Sequence, residues 1–394
     1  MSNISQFFKG DTRKKNRKIF AGNQTVIWTA PSQTSEVDVH VWGGGGNGST
    51  SASAKFAGGG GGYTSNTFVV GAGTTIGVSV GATAGTSTAT ITNPIGVSTL
   101  TSTGGVPGYD PTPSPTFGYG GSGSYTLHPE EPTAYIFTAN GGYSRKTNPE
   151  TPLQKNNAGG GGAGFIYGPG GNGGQVPSGV PGTYNNTNTP SAAEAGMGGG
   201  GIKGHGGWVS RTSSPPDTGE IGAGGGGFMP AYGMAQNPNP STYDLVNYGG
   251  AGIDGRFMGS TIDSDLSASG ETCGWFYLED INGMGGSAGR NQRWAGGSSA
   301  PFPSTGSYFA ANGLAGGGGG GSPRYHVFQN NNGGPGKGGD GGIFGGGGGG
   351  SWNTNASRAG NGGYGGGGGG AGGTENPNPA IAGAGGEGII IIYY

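Results

Sequence analysis

The chain has 394 residues, of which 103 are glycine; only 10 % are charged and the formal net charge is −2. Glycine does not recur strictly every third residue, which excludes a collagen triple helix, and the near-neutral charge is unlike that of a disordered chain. The 15 Phe, 6 Trp and 17 Tyr are too many for a flexible linker, and the single cysteine, Cys273, excludes an intrachain disulfide framework and every CxxC zinc site.

Residues 1–18 run from MSNISQFF into KGDTRKKNRK. Phe7, Phe8, Arg13, Lys14, Lys15, Arg17 and Lys18 form either an attachment arm for another protein or a solvated basic tail. The rest of the chain offers no basic surface to match, so nucleic acid is not the expected partner. The first 20 residues lack the apolar core of a signal peptide, and no apolar run is long enough to span a bilayer. The expectation is a protein made in a cytoplasm and released by assembly or lysis, without membrane insertion.

Short strands follow. Residues 25–30 (TVIWTA) lead into a turn at 31–35, and 36–42 (EVDVHVW) alternate, with Val37, Val39 and Val41 on one face and Asp38 and His40 on the other. His40 is accordingly expected at the strand surface. Further strands are expected at 67–70, 75–80, 87–92 and 96–101, which together point to an antiparallel sandwich. The closing run, Ile389–Ile392 followed by Tyr393 and Tyr394, reads as a strand buried on both faces. It is expected to return to the N-terminal strands and close their sheet.

Between these ends lie glycine tracts, clearest at 159–174, 313–321, 333–350 and 360–373. Each glycine loses about 0.5–1 kcal/mol more backbone entropy than alanine on ordering, so something other than a side-chain core must hold them. Extended polyproline II chains have three residues per turn and no internal hydrogen bonds, leaving every N–H and C=O free to pair sideways. Only glycine lets neighbours approach from all sides.

The segments between tracts carry aromatic rings. Segments 109–117 and 125–137 are rich in proline and aromatics, and Trp208, Tyr232, Trp275, Tyr277, Trp294, Tyr308 and Tyr325 are candidate recognition residues on the later ones. Rings on anchored loops give contact area at low entropic cost; the same rings could instead seal the edges of a glycine lattice. Which segments share an end is open at this stage.

Catalytic chemistry is not legible. The Gly-x-Gly-x-x-Gly matches are chance at this glycine content, and none sits at a strand-to-helix turn. His40, His128, His205 and His326 are far apart, the last three being read as loop residues. Asp263 and Asp265 lack the glycine and glutamate of an EF-hand loop, and Glu130 and Glu131 diverge on a proline-flanked turn. No enzyme activity, cofactor or metal is expected.

The stretches TVIWTAP…VDVHVWGGGGNG, GGGGGYTSNTFVVGAGTTIGVSVGA and GAGGEGIIIIYY resemble the glycine-rich β domains of bacteriophage tail and fibre proteins. The tract-and-segment middle resembles the polyglycine-sandwich receptor-binding adhesins at the fibre tips of T-even-type phages. This resemblance implies polyglycine II helices in a lattice and loops that recognise a host surface. It also implies binding to a host-cell glycan or outer-membrane protein, and attachment to another tail or fibre protein. Fibre proteins are commonly homotrimers, whereas the tip adhesins sit as single chains on a trimeric fibre.

The expected fold is mainly β plus polyglycine II, with little or no α-helix. An attachment arm (1–18) precedes a β-sandwich base (19–103 with 383–394), into which a glycine-rich body (104–382) is inserted. The expected role is non-enzymatic adhesion by a tail-fibre tip; the alternative is a purely structural virion component.

Overall fold

The computed structural model describes residues 16–49, 56–108, 118–131, 135–144, 158–174, 198–206, 225–226, 338–350, 358–371 and 380–394. Among these residues there are ten strands and no helix. In chain order they are β1 (Arg17–Ala21), β2 (Thr25–Thr29), β3 (Glu36–Trp42), β4 (Tyr63–Val69), β5 (Thr75–Ser79), β6 (Ser87–Asn93), β7 (Gly96–Ser102), β8 (Gly123–Thr126), β9 (Phe137–Ala139) and β10 (Ile389–Tyr393). They form two five-stranded antiparallel sheets. Sheet A has the order β1-β10-β3-β4-β9 and sheet B the order β2-β5-β6-β7-β8.

The alternation of β3 sets the first core. Val37, Val39 and Val41 are fully buried and face Ile76, Val78, Ile91 and Leu100 of sheet B, with Phe20, Phe68, Ile390 and Ile392 beside them. β10 lies between β1 and β3, pairing Ile390 with both Phe20 and Val41, so the isoleucine run closes the sheet as its composition leads one to expect. Strands β8 and β9 fall within the segment 118–139, part of which the sequence reading assigned to recognition. They extend the two sheets at the β7 and β4 edges.

The opposite face of sheet A is not a solvent face. Its first row, from edge to edge, is Ala21, Ile389, Trp42, Tyr63 and Ala139. Over this row pack Phe165, Ile202 and Phe344, each at most 1 % exposed. Trp42 lies 4.7 Å from the Phe344 ring and 5.8 Å from Phe165, and its indole N–H donates to the Gly164 carbonyl at 2.9 Å. These residues sit in tight turns of the glycine tracts (AGFIYG, GGIKGH, GGIFGG). The turns are closed by Gly168 N–H to Phe165 O at 2.9 Å and Gly345 N–H to Gly342 O at 2.9 Å. His40 therefore departs from its expected surface position. It is 7 % exposed in the second row of the covered face, because the glycine body supplies the second layer there.

The body itself is a lattice of extended tracts whose hydrogen bonds repeat every third residue. Along 158–164, Gly160 and Ala163 donate to Gly347 and Phe344, Gly161 and Gly164 donate to Gly58 and Gly61, and Gly162 donates to Gly171, all at 2.8–2.9 Å. The carbonyls of Gly160, Gly161 and Gly162 accept from Gly200, Gly367 and Gly142. Three directions of donation and three of acceptance surround this tract with six others, as a three-residue turn requires. Tracts 56–62 and 366–371 are enclosed in the same way, and the three central tracts bond one another through Gly161 to Gly58, Gly58 to Gly368 and Gly367 to Gly161. The lattice thus takes in 43–49 and 56–62, residues that sequence alone placed in the sandwich base. It is fed by excursions from β3–β4, β7–β8 and β9–β10 rather than by one insertion.

At the centre the tracts leave no room for a side chain. A Cβ built on Gly367 collides with the Gly58 carbonyl, whereas one on Gly77, in β5, meets nothing closer than 3.8 Å. Gly367→Ala should destabilise the protein by about 3 kcal/mol or more. Gly77→Ala should stay within about 0.5 kcal/mol of the parent. Ile390→Ala should cost about 2–5 kcal/mol by opening a cavity between the sheets. Denaturant unfolding followed by tryptophan fluorescence reads all three.

Candidate recognition end of the glycine body

The direction of each tract follows from the strand that feeds it. Tract 43–49 leaves β3 and 56–62 returns to β4; 103–108 leaves β7 and 118–122 returns to β8; 140–144 leaves β9 and 380–388 returns to β10. The remaining reversals near the sandwich are the turns at 165–168, 202–204, 343–344 and 364–365, whose apolar residues Phe165, Ile202, Phe344 and Tyr364 pack on sheet A. The described residues Ser49, Phe56, Gly108, Gly118, Ser144, Ala158, Gly174, Gly198, Gly350, Arg358, Ala371 and Ala380 therefore all lie toward the opposite end of the lattice.

Residues at these exits bond to one another. Ser49 N–H donates to Phe56 O at 2.7 Å, Ala371 N–H to Ser49 O at 3.1 Å and Gly370 N–H to Ala158 O at 2.9 Å. Gly174 N–H donates to Gly198 O at 2.7 Å and Ser144 N–H to Gly118 O at 2.8 Å. Neighbouring exits are thus tied to one another by backbone hydrogen bonds. At the other pole, Asn16 and Tyr394 exchange backbone hydrogen bonds at 3.3 and 3.0 Å beyond the ends of β1 and β10. Asn16, the first described residue, thus lies at the sandwich pole away from the exits.

Around the lattice perimeter, single polar residues between glycines replace a missing neighbour. The side-chain oxygen of Asn47 accepts from Gly385 N–H at 2.9 Å, that of Asn172 from Tyr143 N–H at 3.1 Å and that of Asn361 from Ala384 N–H at 2.9 Å. Asp340 accepts from Asn361 N–H at 2.7 Å, and His205 Nδ1 from Asn172 N–H at 2.9 Å. His205, read from sequence as a loop residue, is a lattice residue. The sequence signal for this ring was a lone Asn, Asp or His in a Gly-x-Gly setting.

Of the candidate receptor contacts, Trp208 lies between residues 206 and 225. Tyr232, Trp275, Tyr277, Trp294, Tyr308 and Tyr325 lie between 226 and 338; all seven are outside the described residues. So are Phe7, Phe8, Arg13, Lys14 and Lys15 of the arm. Arg17 and Lys18 belong to the edge strand β1, where Lys18 is exposed and Arg17 is half-buried. A lysine on an edge strand also discourages unwanted strand pairing. Among the described residues no group of three His, Cys, Asp or Glu side chains could hold a metal ion.

Where lattice meets sandwich, sequence reasoning missed a buried polar pair. His40 Nδ1 and the Tyr63 hydroxyl are 2.7 Å apart, and the His40 ring stacks near Trp42 and Tyr63 and meets the edge of Tyr393. Burial raises the Tyr63 phenol far above its ordinary value near 10. In the unfolded chain the phenol ionises as pH passes that value, while in the folded chain it stays protonated. The unfolded state then binds fewer protons, so this group's contribution is complete below pH ~10 and falls away above it. Stability measured from pH 8 to 11 should drop more steeply for the parent than for Tyr63→Phe, which at pH 8 should cost about 1 kcal/mol for the lost hydrogen bond.

A family model described as a glycine-rich domain matches residues 21–256. No curated protein and no solved structure matches the chain.

Proposed function

The chain belongs to the glycine-rich domain family, and from that premise we propose that it is a phage tail-fibre tip protein that binds a receptor on the host-cell surface without enzymatic action. The observation that carries this reading is the common end of the exits. Residues flanking segments of unlike sequence lie at one end of the lattice, where Ser49–Phe56, Ala371–Ser49 and Gly174–Gly198 hydrogen bonds tie neighbouring exits together. A surface that presents many variable segments on a fixed frame suits recognition, because rigid anchoring lowers the entropy lost on binding.

Polarity supports the same reading. Asn16, which the basic N-terminal arm precedes in the sequence, lies beside Tyr394 at the sandwich pole away from the exits, so attachment to a further fibre protein through that arm would leave the exits pointing outward. Trp208, Trp275 and Trp294, with Tyr232, Tyr277, Tyr308 and Tyr325, are the rings proposed to meet a surface glycan or an outer-membrane protein. The arm residues Phe7, Phe8, Arg13, Lys14, Lys15, Arg17 and Lys18 are proposed to meet the virion.

Labelled protein should bind cells of the host in a strain-restricted way, and a folded variant with Trp208, Trp275 and Trp294 changed to Ala should lose at least about tenfold in affinity, or ~1.4 kcal/mol. Circular dichroism checks the fold of the variant. Absence of binding to cells that the parent virus infects would instead favour a structural virion part.

A further inference from the structure

Four Asn-Gly pairs lie within the described lattice: Asn47-Gly48, Asn140-Gly141, Asn172-Gly173 and Asn361-Gly362. An asparagine before glycine is the most labile setting for deamidation, because no side chain hinders attack by the following backbone nitrogen. That nitrogen loses its proton and bonds to the side-chain carbonyl carbon, and ammonia leaves. Water then opens the five-membered imide at either carbonyl to give aspartate or isoaspartate.

In this lattice each attacking nitrogen is already committed. Gly48 N–H donates to Gly383 O at 2.9 Å, Gly141 to Gly121 O at 2.9 Å, Gly173 to Tyr143 O at 3.0 Å and Gly362 to Ala384 O at 2.8 Å. In three of the pairs the other reactant is held as well, since the Asn47, Asn172 and Asn361 amide oxygens each accept an N–H from a neighbouring tract. Ring closure would require rotation about a backbone fixed by bonds to different neighbours. Exclusion of water is not the protection: the side chains of Asn47, Asn140 and Asn361 are exposed and that of Asn172 is half-buried. The locked N–H is.

We propose that Asn47, Asn140, Asn172 and Asn361 are conditional deamidation sites, inert while the lattice is closed and reactive once it opens. The consequence is asymmetric. Aspartate at 47, 172 or 361 still offers an acceptor oxygen, whereas isoaspartate adds a methylene to the main chain and breaks the three-residue register of its tract. An opened lattice would be progressively prevented from closing again.

The test needs only the full chain. Incubated at pH 8 and 37 °C, native and denaturant-unfolded protein are sampled over days and mapped by mass spectrometry, with isoaspartate separated from aspartate by chromatography. Each of the four sites should react at least about tenfold more slowly in the native protein, since reaction then waits on local opening. Synthetic peptides of the four sequences give the unhindered rate under the same buffer. Equal rates in native protein and peptide, with circular dichroism showing the native sample still folded, would overturn the proposal. This result is independent of any receptor.

Discussion

Everything in this protein rests on the sideways hydrogen bond between extended glycine backbones. A helix or a sheet fixes its partners along one or two directions, whereas tract 158–164 donates in three directions and accepts from three more. The period of three follows from the chain geometry, and the demand for glycine follows from the approach of a carbonyl on every side. Side chains reappear where a neighbour is missing, as Asn47, Asn172 and Asn361 do at the perimeter. Composition, hydrogen bonding and cross-section are in this way one constraint seen three times.

The two halves of the molecule are joined by a second, ordinary core. Sheet A has hydrophobic residues on both faces: Val37, Val39 and Val41 meet sheet B, while Trp42, Tyr63, Ile389 and Ile391 meet Phe165, Ile202 and Phe344. Strands running straight into tracts give the lattice its starting register, and aromatic turns return it to the sheet. The sandwich is thus a template that fixes which end of each tract faces outward, and so places the exits together.

Much of the sandwich was legible in the sequence, because its strands obey a period of two and its last strand is an unbroken apolar run. His40 was not. An alternating strand announces which residues share a face, and it cannot announce that a distant turn covers the polar side. The strands β8 and β9 were obscured for a different reason: Gly123–Thr126 and Phe137–Ala139 are short and lie among prolines and aromatics that look like loop. The direction of the tracts was unreadable from glycine counts, yet the cue was present in the short apolar interruptions of the glycine runs, at 165–167 (FIY), Ile202, 343–344 (IF) and Tyr364. These apolar residues mark the sandwich end. The seven candidate rings and most of the arm lie outside the described residues.

The placement of β10 also bears on synthesis. This strand is the second of five in sheet A, between β1 and β3, yet is separated from both by more than 340 residues of the sequence, with β10 starting at Ile389 and β3 ending at Trp42. While a ribosome is still making the lattice tracts, β1 has no neighbour in sheet A, β3 lacks one of its two, and Ile390 and Ile392 are missing from the core beside Val37, Val39 and Val41. Folding of such long-range pairings is slow, and here it is deferred until translation has passed Tyr393. A message cut short or a stalled ribosome yields a product in which the facing edges of β1 and β3 are left unpaired.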